Sequence, residues 1–169
     1  MSERSDSHHF EGPARFAVGA DGEPGSRVFY LQAQGDDGPQ VSVKCEKQQA
    51  AALAEYLEGI LADLPTEDEI DPASTQVLPP GAMAWTAGVM AVAYDEPADR
   101  IVVMIEELLD DEEAEARIDG PATLRVSLRR GQVATFIGQV RELIAGGRPP
   151  CRLCGRPLDP AGHACPRLN

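Results

Sequence analysis

The sequence predicts an α+β fold in which a strand–strand–strand–helix unit occurs twice. Three observations lead to this fold class. Several short segments alternate apolar and polar residues, which is the period of a half-buried β-strand. Two longer segments carry apolar residues at three- and four-residue steps, which is the period of an amphipathic helix. The last segment is rich in cysteine, proline and arginine and differs from all that precedes it.

Composition and charge limit the function classes. The chain has 169 residues, of which 43% are hydrophobic, and its formal net charge is −13. An acidic body is unsuited to non-specific binding of nucleic acid or an anionic membrane, because phosphate contacts need clustered cations. The longest nearly apolar stretch, residues 82–94, has thirteen residues, fewer than the roughly 18 that span a bilayer.

Residues 1–12 are polar, and we predict a disordered tail there. They contain no apolar segment of the kind found in export signals, so we expect a cytoplasmic protein. In that reducing compartment, cysteines bind metals or stay as free thiols rather than forming a disulfide framework.

The first predicted unit has strands at residues 14–18, 27–34 and 40–44, where apolar and β-branched residues are bounded by glycine-rich turns. A helix over residues 46–64 follows, with leucine and isoleucine on one stripe, and Pro65 ends it. An acidic, proline-rich connection then leads to the second unit.

The second unit has predicted strands at residues 84–94, 100–108 and 122–129 and a helix over residues 132–145, which a Gly-Gly pair ends. Its acidic run, residues 106–115, lacks the spaced Asp/Asn ligands and central glycine of a calcium loop. We interpret this run as a solvated loop, and the sequence leaves open whether it binds a cation.

The two units align at a constant offset of 83 residues, which matches Gln49 with Gln132 and Leu53 with Phe136. Upstream, residues 27–31 resemble residues 100–104 at an offset of 73, so the second copy would contain a ten-residue insertion. This predicts an internal duplication over residues 13–147, with six antiparallel strands and two helices on one face. Two unrelated amphipathic units would also share much of this spacing.

The C-terminal segment, residues 148–169, has the spacing of a metal-binding knuckle. Cys151 and Cys154 form a Cys-x-x-Cys-Gly sequence, and a His-x-Cys pair, His163 and Cys165, follows eight residues after Gly155. Three thiolates and one imidazole complete a tetrahedral coordination sphere with no open position, which predicts structural Zn²⁺. A redox dithiol is the alternative, but such a motif normally opens a helix after a strand.

This segment is basic although the body is acidic. From residue 146 onward there are four arginines and one aspartate, a net charge of +3. The segment contains no aromatic residue on which a base could stack, so we expect a protein partner rather than nucleic acid, and no membrane.

Other residues with reactive side chains have structural interpretations. Cys45 and Trp85 are predicted to lie in the core, and His8 and His9 to lie in the disordered tail. The chain has no Gly-x-Ser-x-Gly, phosphate-loop or His-Glu-x-x-His motif. The sequence therefore favours a non-enzymatic binding or adaptor protein. The alternative is a small hydrolase or transferase with carboxylates between the two repeats.

The ending Cys-x-x-Cys-Gly-x-Pro-Leu-x-Pro-x-Gly-His-x-Cys-Pro-Arg resembles an uncharacterised actinobacterial family. The Arg-Phe-x-x-Gly opening (Arg15, Phe16, Gly19) and the Arg-x-Phe-Tyr-Leu-Gln strand resemble it as well. The resemblance implies a cytoplasmic bacterial protein of similar size, without established activity. It also implies a gene neighbourhood with a histidine-phosphatase-like and a kinase-like protein, which are possible partners.

Overall fold

The structure, a computed structural model, describes residues 6–66, 72–147, 151–156, 158 and 162–168. In these ranges the chain is a mixed α+β protein with seven strands, three helices and one 3-10 turn at Pro72–Thr75. The strands are β1 (His8–Glu11), β2 (Arg15–Asp21), β3 (Val28–Gln34), β4 (Val41–Cys45), β5 (Ala87–Asp95), β6 (Arg100–Glu107) and β7 (Thr123–Leu128). The helices are α1 (Lys47–Ala62), α2 (Asp111–Ala116) and α3 (Arg130–Ala145).

The strands form two sheets rather than one assembly of six strands. One sheet has the order β2-β3-β4, and the other has the order β1-β7-β6-β5. Neighbouring strands are antiparallel, as predicted, except that β1 is parallel to β7. A single parallel bridge between Lys44 and Thr86 connects β4 to the residues just before β5.

Strand β1 corrects the prediction of a disordered tail over residues 1–12. His8–Glu11 pairs with residues 124–127 of β7, and Gly12 N–H donates to the carbonyl of Ser127 at 3.1 Å. Residues 1–5 lie outside the described part of the chain. The backbone hydrogen bonds of β1 come from a partner strand more than a hundred residues away, so its own polar sequence gave no strand signal.

The two long helices bury equivalent positions. The buried residues of α1 are Ala50, Leu53, Ala54 and Leu57, and those of α3 include Val133, Phe136, Ile137 and Val140. Each residue of the second set lies 83 positions after one of the first. The helices contact each other, and Glu58 of α1 pairs with Arg141 of α3 at 2.6 Å.

A glutamine in the first turn of each of these helices also contacts the other half of the body. The first half comprises β2, β3, β4 and α1, and the second half comprises β5, β6, β7 and α3. Gln49 accepts from Glu46 N–H at 2.8 Å and donates to the Gly88 carbonyl of β5 at 2.8 Å. Gln132 accepts from Arg129 N–H at 3.0 Å and donates to the Pro13 carbonyl, just before β2, at 2.8 Å. Each capping side chain thus connects its helix to the residues at the start of the first strand of the other half.

The strand registers give an upstream spacing that differs from the predicted 73. Leu31 lies opposite Val43, and Val103 lies opposite Val126. Val43 and Val126 are 83 residues apart, whereas the residues opposite them, Leu31 and Val103, are 72 residues apart. If the two units are copies, the second contains an insertion of eleven residues rather than ten.

The acidic run is partly helical rather than a loop throughout. Asp110 accepts from Glu113 N–H at 2.8 Å, and the Glu113 carboxylate accepts from Asp110 N–H at 3.2 Å. This reciprocal cap begins α2 and explains why a run of carboxylates becomes helical, since acidic side chains stabilise a helix N-terminus. Nearby, the nearly buried Glu107 carboxylate accepts from Arg117 and from Ala122 N–H.

One apolar cluster joins both sheets with α1 and α3. Phe16 of β2 and Phe136 of α3 stack at its centre, with their ring centroids 4.7 Å apart. Cys45 and Trp85 lie in this cluster, as predicted, and the Trp85 indole N–H donates to the carbonyl of Asp6. Since the cluster is continuous, the two halves share a core.

Candidate metal centre

The first pair of candidate ligands lies in a tight backbone loop. Gly155 N–H donates to the Cys151 carbonyl at 2.8 Å, and Cys151 N–H donates to the Arg156 carbonyl at 2.7 Å. Gly155 has a φ of 73°, a left-handed conformation that glycine adopts without strain. These bonds turn the chain back on itself, so that the sulfurs of Cys151 and Cys154 face the same point.

The second pair comes from a short segment near the C-terminus. Gly162, with a φ of 86°, precedes His163. After Cys165 the chain turns, and Leu168 N–H donates to the Cys165 carbonyl at 3.0 Å. Residues 157 and 159–161, between the two pairs, lie outside the described residues.

The four predicted ligands come together. One donor atom from each of Cys151, Cys154, His163 and Cys165 lies within 4.8 Å of the other three. Cys151 Sγ is 4.0 Å from Cys165 Sγ, and Cys154 Sγ is 3.3 Å from His163 Nε2. Zinc–sulfur bonds of about 2.3 Å in a tetrahedron place two sulfurs about 3.8 Å apart. The four side chains are therefore positioned to bind a metal ion.

The backbone prepares one of these thiols for metal binding. The N–H groups of Cys154 and, next, Leu153 point at the sulfur of Cys151 and hold its pKa below the ordinary value. Such hydrogen bonds favour the thiolate, which is the form that binds metals. The Nδ1 atom of His163 is buried and has no hydrogen-bond partner among the described residues. An imidazole that keeps a buried nitrogen without a described hydrogen-bond partner and is grouped with three cysteines fits a metal ligand.

The described knuckle carries exposed basic side chains. Arg152, Arg156 and Arg167 are exposed, and in the described part of the chain none of them forms an ion pair. Arg148 and Asp159, which also entered the predicted charge, lie outside that part. The described surface of the knuckle therefore offers three cations to a partner.

The carboxylates of the acidic run and the histidine His9 do not form a cluster of this kind. Within the described ranges, the Cys/His cluster is the only group of three or more such side chains arranged to hold an ion, and the acidic run forms none. His9 lies in β1, where its Nε2 is 2.7 Å from Glu11 and 2.6 Å from Arg125. These contacts belong to the surface of the sheet rather than to a metal site.

Sequence reasoning missed a cleft of about 360 Å³ between α1 and β5. It is lined by Gln49, Ala52, Leu53 and Tyr56 of α1 and by Gly88, Met90, Ala91 and Val92 of β5. Tyr56, on the exposed side of α1, is 72% exposed. An aromatic residue off the apolar stripe was the one available signal, and a single such residue does not identify a cleft.

Fold and site together define a class: a mixed α+β protein with a C-terminal Cys₃His cluster positioned to bind a metal ion. The chain belongs to the family described as "Protein of unknown function (DUF3090)", whose model matches residues 8–165. This match confirms the resemblance to an uncharacterised family over nearly the whole chain. No curated protein matches the sequence. Among the described residues, no helix has both the length and the apolar character needed to cross a membrane.

The fourth cysteine should differ from the knuckle cysteines in reactivity. Cys45 is 2% exposed, and burial raises the pKa of its thiol to about 12. The group thus stays a neutral thiol at pH 8, and thiolate is the reactive form. In metal-free protein at pH 8, whose knuckle is unfolded and whose body stays folded, we expect a disulfide reagent to modify the three knuckle thiols quickly and Cys45 only on unfolding of the body. Mass spectrometry of the modified peptides checks this, and rapid labelling of Cys45 would contradict its burial.

Proposed function

We propose that this chain is a non-enzymatic binding or adaptor protein whose C-terminal knuckle holds one structural Zn²⁺ ion. The closed donor set carries the proposal. Three cysteines and one histidine fill a tetrahedral sphere and leave no position for a substrate or an activated water. Zinc fits best because soft thiolates with one imidazole, in a tetrahedral arrangement, are its usual structural ligands.

The first test of the proposal is the metal content. Protein purified without an affinity tag should contain one zinc ion per chain by elemental analysis and by native mass spectrometry. Cys154→Ser should lower the zinc content to less than about a tenth of one ion per chain. The three remaining ligands lack the second thiolate of the Cys-x-x-Cys pair and therefore bind zinc weakly. The matched control Cys45→Ser should keep one ion, since Cys45 lies in the body core. A soluble wild-type protein without metal would contradict the proposal.

The exposed arginines support a protein partner with an acidic surface. Arg152, Arg156 and Arg167 are exposed on the knuckle. The body, by contrast, is acidic, with a net charge of −16 over residues 1–145, so the knuckle is the part of the chain that suits an acidic surface. Opposite charges steer association and fix its orientation. The phosphatase-like and kinase-like neighbours implied by the family resemblance are the first partners to examine, in the cytoplasm of the native organism.

The partner is tested by affinity capture from native lysate with three baits. Wild type should retain a protein that Cys151→Ser loses, because the knuckle is not formed in that variant. The triple change Arg152→Gln, Arg156→Gln and Arg167→Gln should keep zinc but lose most of the captured protein. Equal capture by all three baits would show that the knuckle is not the contact surface.

An enzyme with carboxylates between the halves has less support. Glu58, in the cleft between α1 and α3, is paired with Arg141. The pKa values of Glu11 and Asp99 are lowered, chiefly by hydrogen bonds from Arg125 and from Tyr94. A general acid would need a carboxyl whose pKa is raised.

We also propose that the two halves arose by duplication. The support is the common offset of 83 in the buried positions of α1 and α3 and the matching roles of Gln49 and Gln132. In an alignment of further family members, residues at this offset should resemble each other more than residues at neighbouring offsets. Equal similarity at offsets of 82 and 84 would reject the duplication.

A further inference from the structure

In the second half, an internal carboxylate neutralises the cation at the start of α3. Arg130, the first residue of α3, pairs with Asp99 at 2.6 Å. The Tyr94 hydroxyl donates to the same carboxylate at 2.8 Å, and Arg130 also donates to the carbonyl of Pro65, which follows α1, at 2.8 Å. The cation that begins α3 therefore has its anion within the chain.

The first half has a second cation at the position of this carboxylate. Two register pairs, one in each half, define equivalent positions: Leu31–Val43 and Val103–Val126. Arg27 and Asp99 each lie four residues before the first member of their pair. Lys47 and Arg130 each lie four residues after the second member. The first half thus has two cations where the second half has a carboxylate and a cation. This equivalence is one of position in the fold and does not require a common origin.

Arg27 and Lys47 line one cleft, whose volume is about 270 Å³. The other lining residues are uncharged and are Pro24, Gly25, Phe29, Leu143 and Gly147. Arg27 donates to the carbonyl of Gly146, which follows α3, at 3.2 Å. Among the described residues, neither cation forms an ion pair. Two positive charges therefore converge on a partly apolar cleft that has no carboxylate in its lining.

A second cleft with two cations, between α1 and α3, differs in this respect. It is lined by Arg130 and Arg141, which pair with Asp99 and with Glu58 at 2.6 Å each. In that cleft the chain supplies its own anions. In the Arg27–Lys47 cleft the described part of the chain supplies none, so both charges are left for an external anion.

We propose that the Arg27–Lys47 cleft binds a small organic phosphate, a phosphate monoester with an apolar body. Two cations in one cleft favour a head group that carries two negative charges, as a phosphate monoester does near neutral pH. Phe29 and Leu143 offer apolar contact to the rest of the ligand. The cleft volume is just below the range of about 300–1,000 Å³ that is typical of small-molecule sites, which fits a ligand of few atoms.

Charge distinguishes this ligand from other occupants of the cleft. A second copy of the chain would bring one acidic body, of net charge −16 over residues 1–145, against another, and the two would repel each other. The knuckle is basic and would be repelled by Arg27 and Lys47. A small dianion that enters between the two cations avoids most of this repulsion, because salt screens the more distant charges. The proposal goes beyond the adaptor role and does not depend on zinc.

The probe is phenyl phosphate, titrated into the ¹⁵N-labelled full chain at pH 8, where its phosphate group is a dianion. We expect saturable amide shifts confined to residues 24–29, the start of α1 and residues 143–147. Inorganic phosphate lacks the ring and benzoate has a single charge, so each should bind at least about fivefold more weakly. Phthalate carries two carboxylates and tests whether the site prefers a dicarboxylate.

The variants change one charge at a time. Lys47→Gln removes a cation at an exposed position and should weaken phenyl phosphate binding at least about tenfold. The matched control Lys44→Gln makes the same change at an exposed lysine outside the cleft and should leave the affinity unchanged. Arg27→Asp places a carboxylate where the second half has Asp99, and should abolish binding with the fold retained.

Chemical labelling gives a second readout, because Lys44 and Lys47 are the only lysines of the chain. Bound phenyl phosphate should slow the reaction of Lys47 with an N-hydroxysuccinimide ester at least about fivefold and leave the reaction of Lys44 unchanged. Mass spectrometry of the two labelled peptides measures both rates in the same sample.

Five outcomes would overturn the proposal. No shifts may appear up to about ten millimolar phenyl phosphate, well above the weak affinities of small fragments, or the shifts may fall on the knuckle arginines. Equal affinity of wild type and Lys47→Gln would show an adventitious ion only. Tighter binding of phthalate would reject the phosphate class. A doubled mass that Lys47→Gln abolishes would show a second copy in the cleft. Failure of the proposed zinc function is recognised separately, since Cys154→Ser would lose zinc and still bind phenyl phosphate.

Discussion

Replacement of Cys154 by serine is expected to unfold the C-terminal knuckle and to leave the body folded. The knuckle has few apolar side chains, and Leu153 and Leu168 are exposed, so burial contributes little to its folding. Metal binding must supply the folding free energy instead, which is about 10–16 kcal/mol for zinc-finger peptides at neutral pH. The body has its own continuous core and does not need this contribution.

Hydrogen exchange measures the effect directly. In Cys154→Ser, amide protection should be lost from about residue 149 onward and kept in α1, α3 and both sheets. The thermal transition of the body should move by less than about 2 °C. Lost protection in α3 would mean that the knuckle is part of the core, against the predicted division into a body at 13–147 and a knuckle at 148–169.

The second large effect is expected in the shared core. Phe136 is fully buried and stacks on Phe16 at 4.7 Å. Phe136→Ala removes this contact and leaves a cavity, which typically costs about 3–5 kcal/mol of unfolding free energy. Because α3 contacts β2 of the first half and β6 of the second, both halves should lose stability together in one transition.

Urea denaturation, followed by fluorescence of Trp85 and by far-ultraviolet circular dichroism, tests this expectation. The two signals should shift to lower urea by the same amount in Phe136→Ala. The control Tyr56→Ala, on the exposed side of α1, should change stability by about 0.5 kcal/mol or less. Separate transitions for the two signals would show that the halves unfold independently.

The long helices were predictable because their signals are local. The apolar steps of Leu53 and Leu57 in α1, and of Phe136 and Val140 in α3, reflect a period that any window of a dozen residues contains. The central strands were predictable for the same reason, since one face of each is buried and alternation follows. The structure changes the predicted ends of these strands and helices by at most three residues.

The remaining elements depend on distant or subtle interactions. Strand β1 is a polar His-His-Phe-Glu segment whose pairing partner is β7, so no local pattern marks it. Helix α2 depends on the reciprocal cap between Asp110 and Glu113, which a run of like charges conceals. The division into two sheets follows from which strands meet in space, and single-sequence periodicity contains no such information.

The grouping of the four candidate ligands was predictable, because they lie within fifteen residues and their spacing reports a turn geometry. The α1–β5 cleft was not. Its two walls come from segments separated by about thirty residues, so no local pattern marks it.

The pairing of β1 with β7 has a consequence for how the chain reaches its native state. Thr123 N–H donates to the hydroxyl of Ser7 across 116 residues of sequence, and β1 has no described strand neighbour other than β7. Contacts of such high sequence separation slow folding, because loop closure precedes the gain from pairing. During synthesis at about 5–20 residues per second, residues 8–11 therefore wait several seconds without a partner. The N-terminal strand is among the last to join, when β7 has left the ribosome.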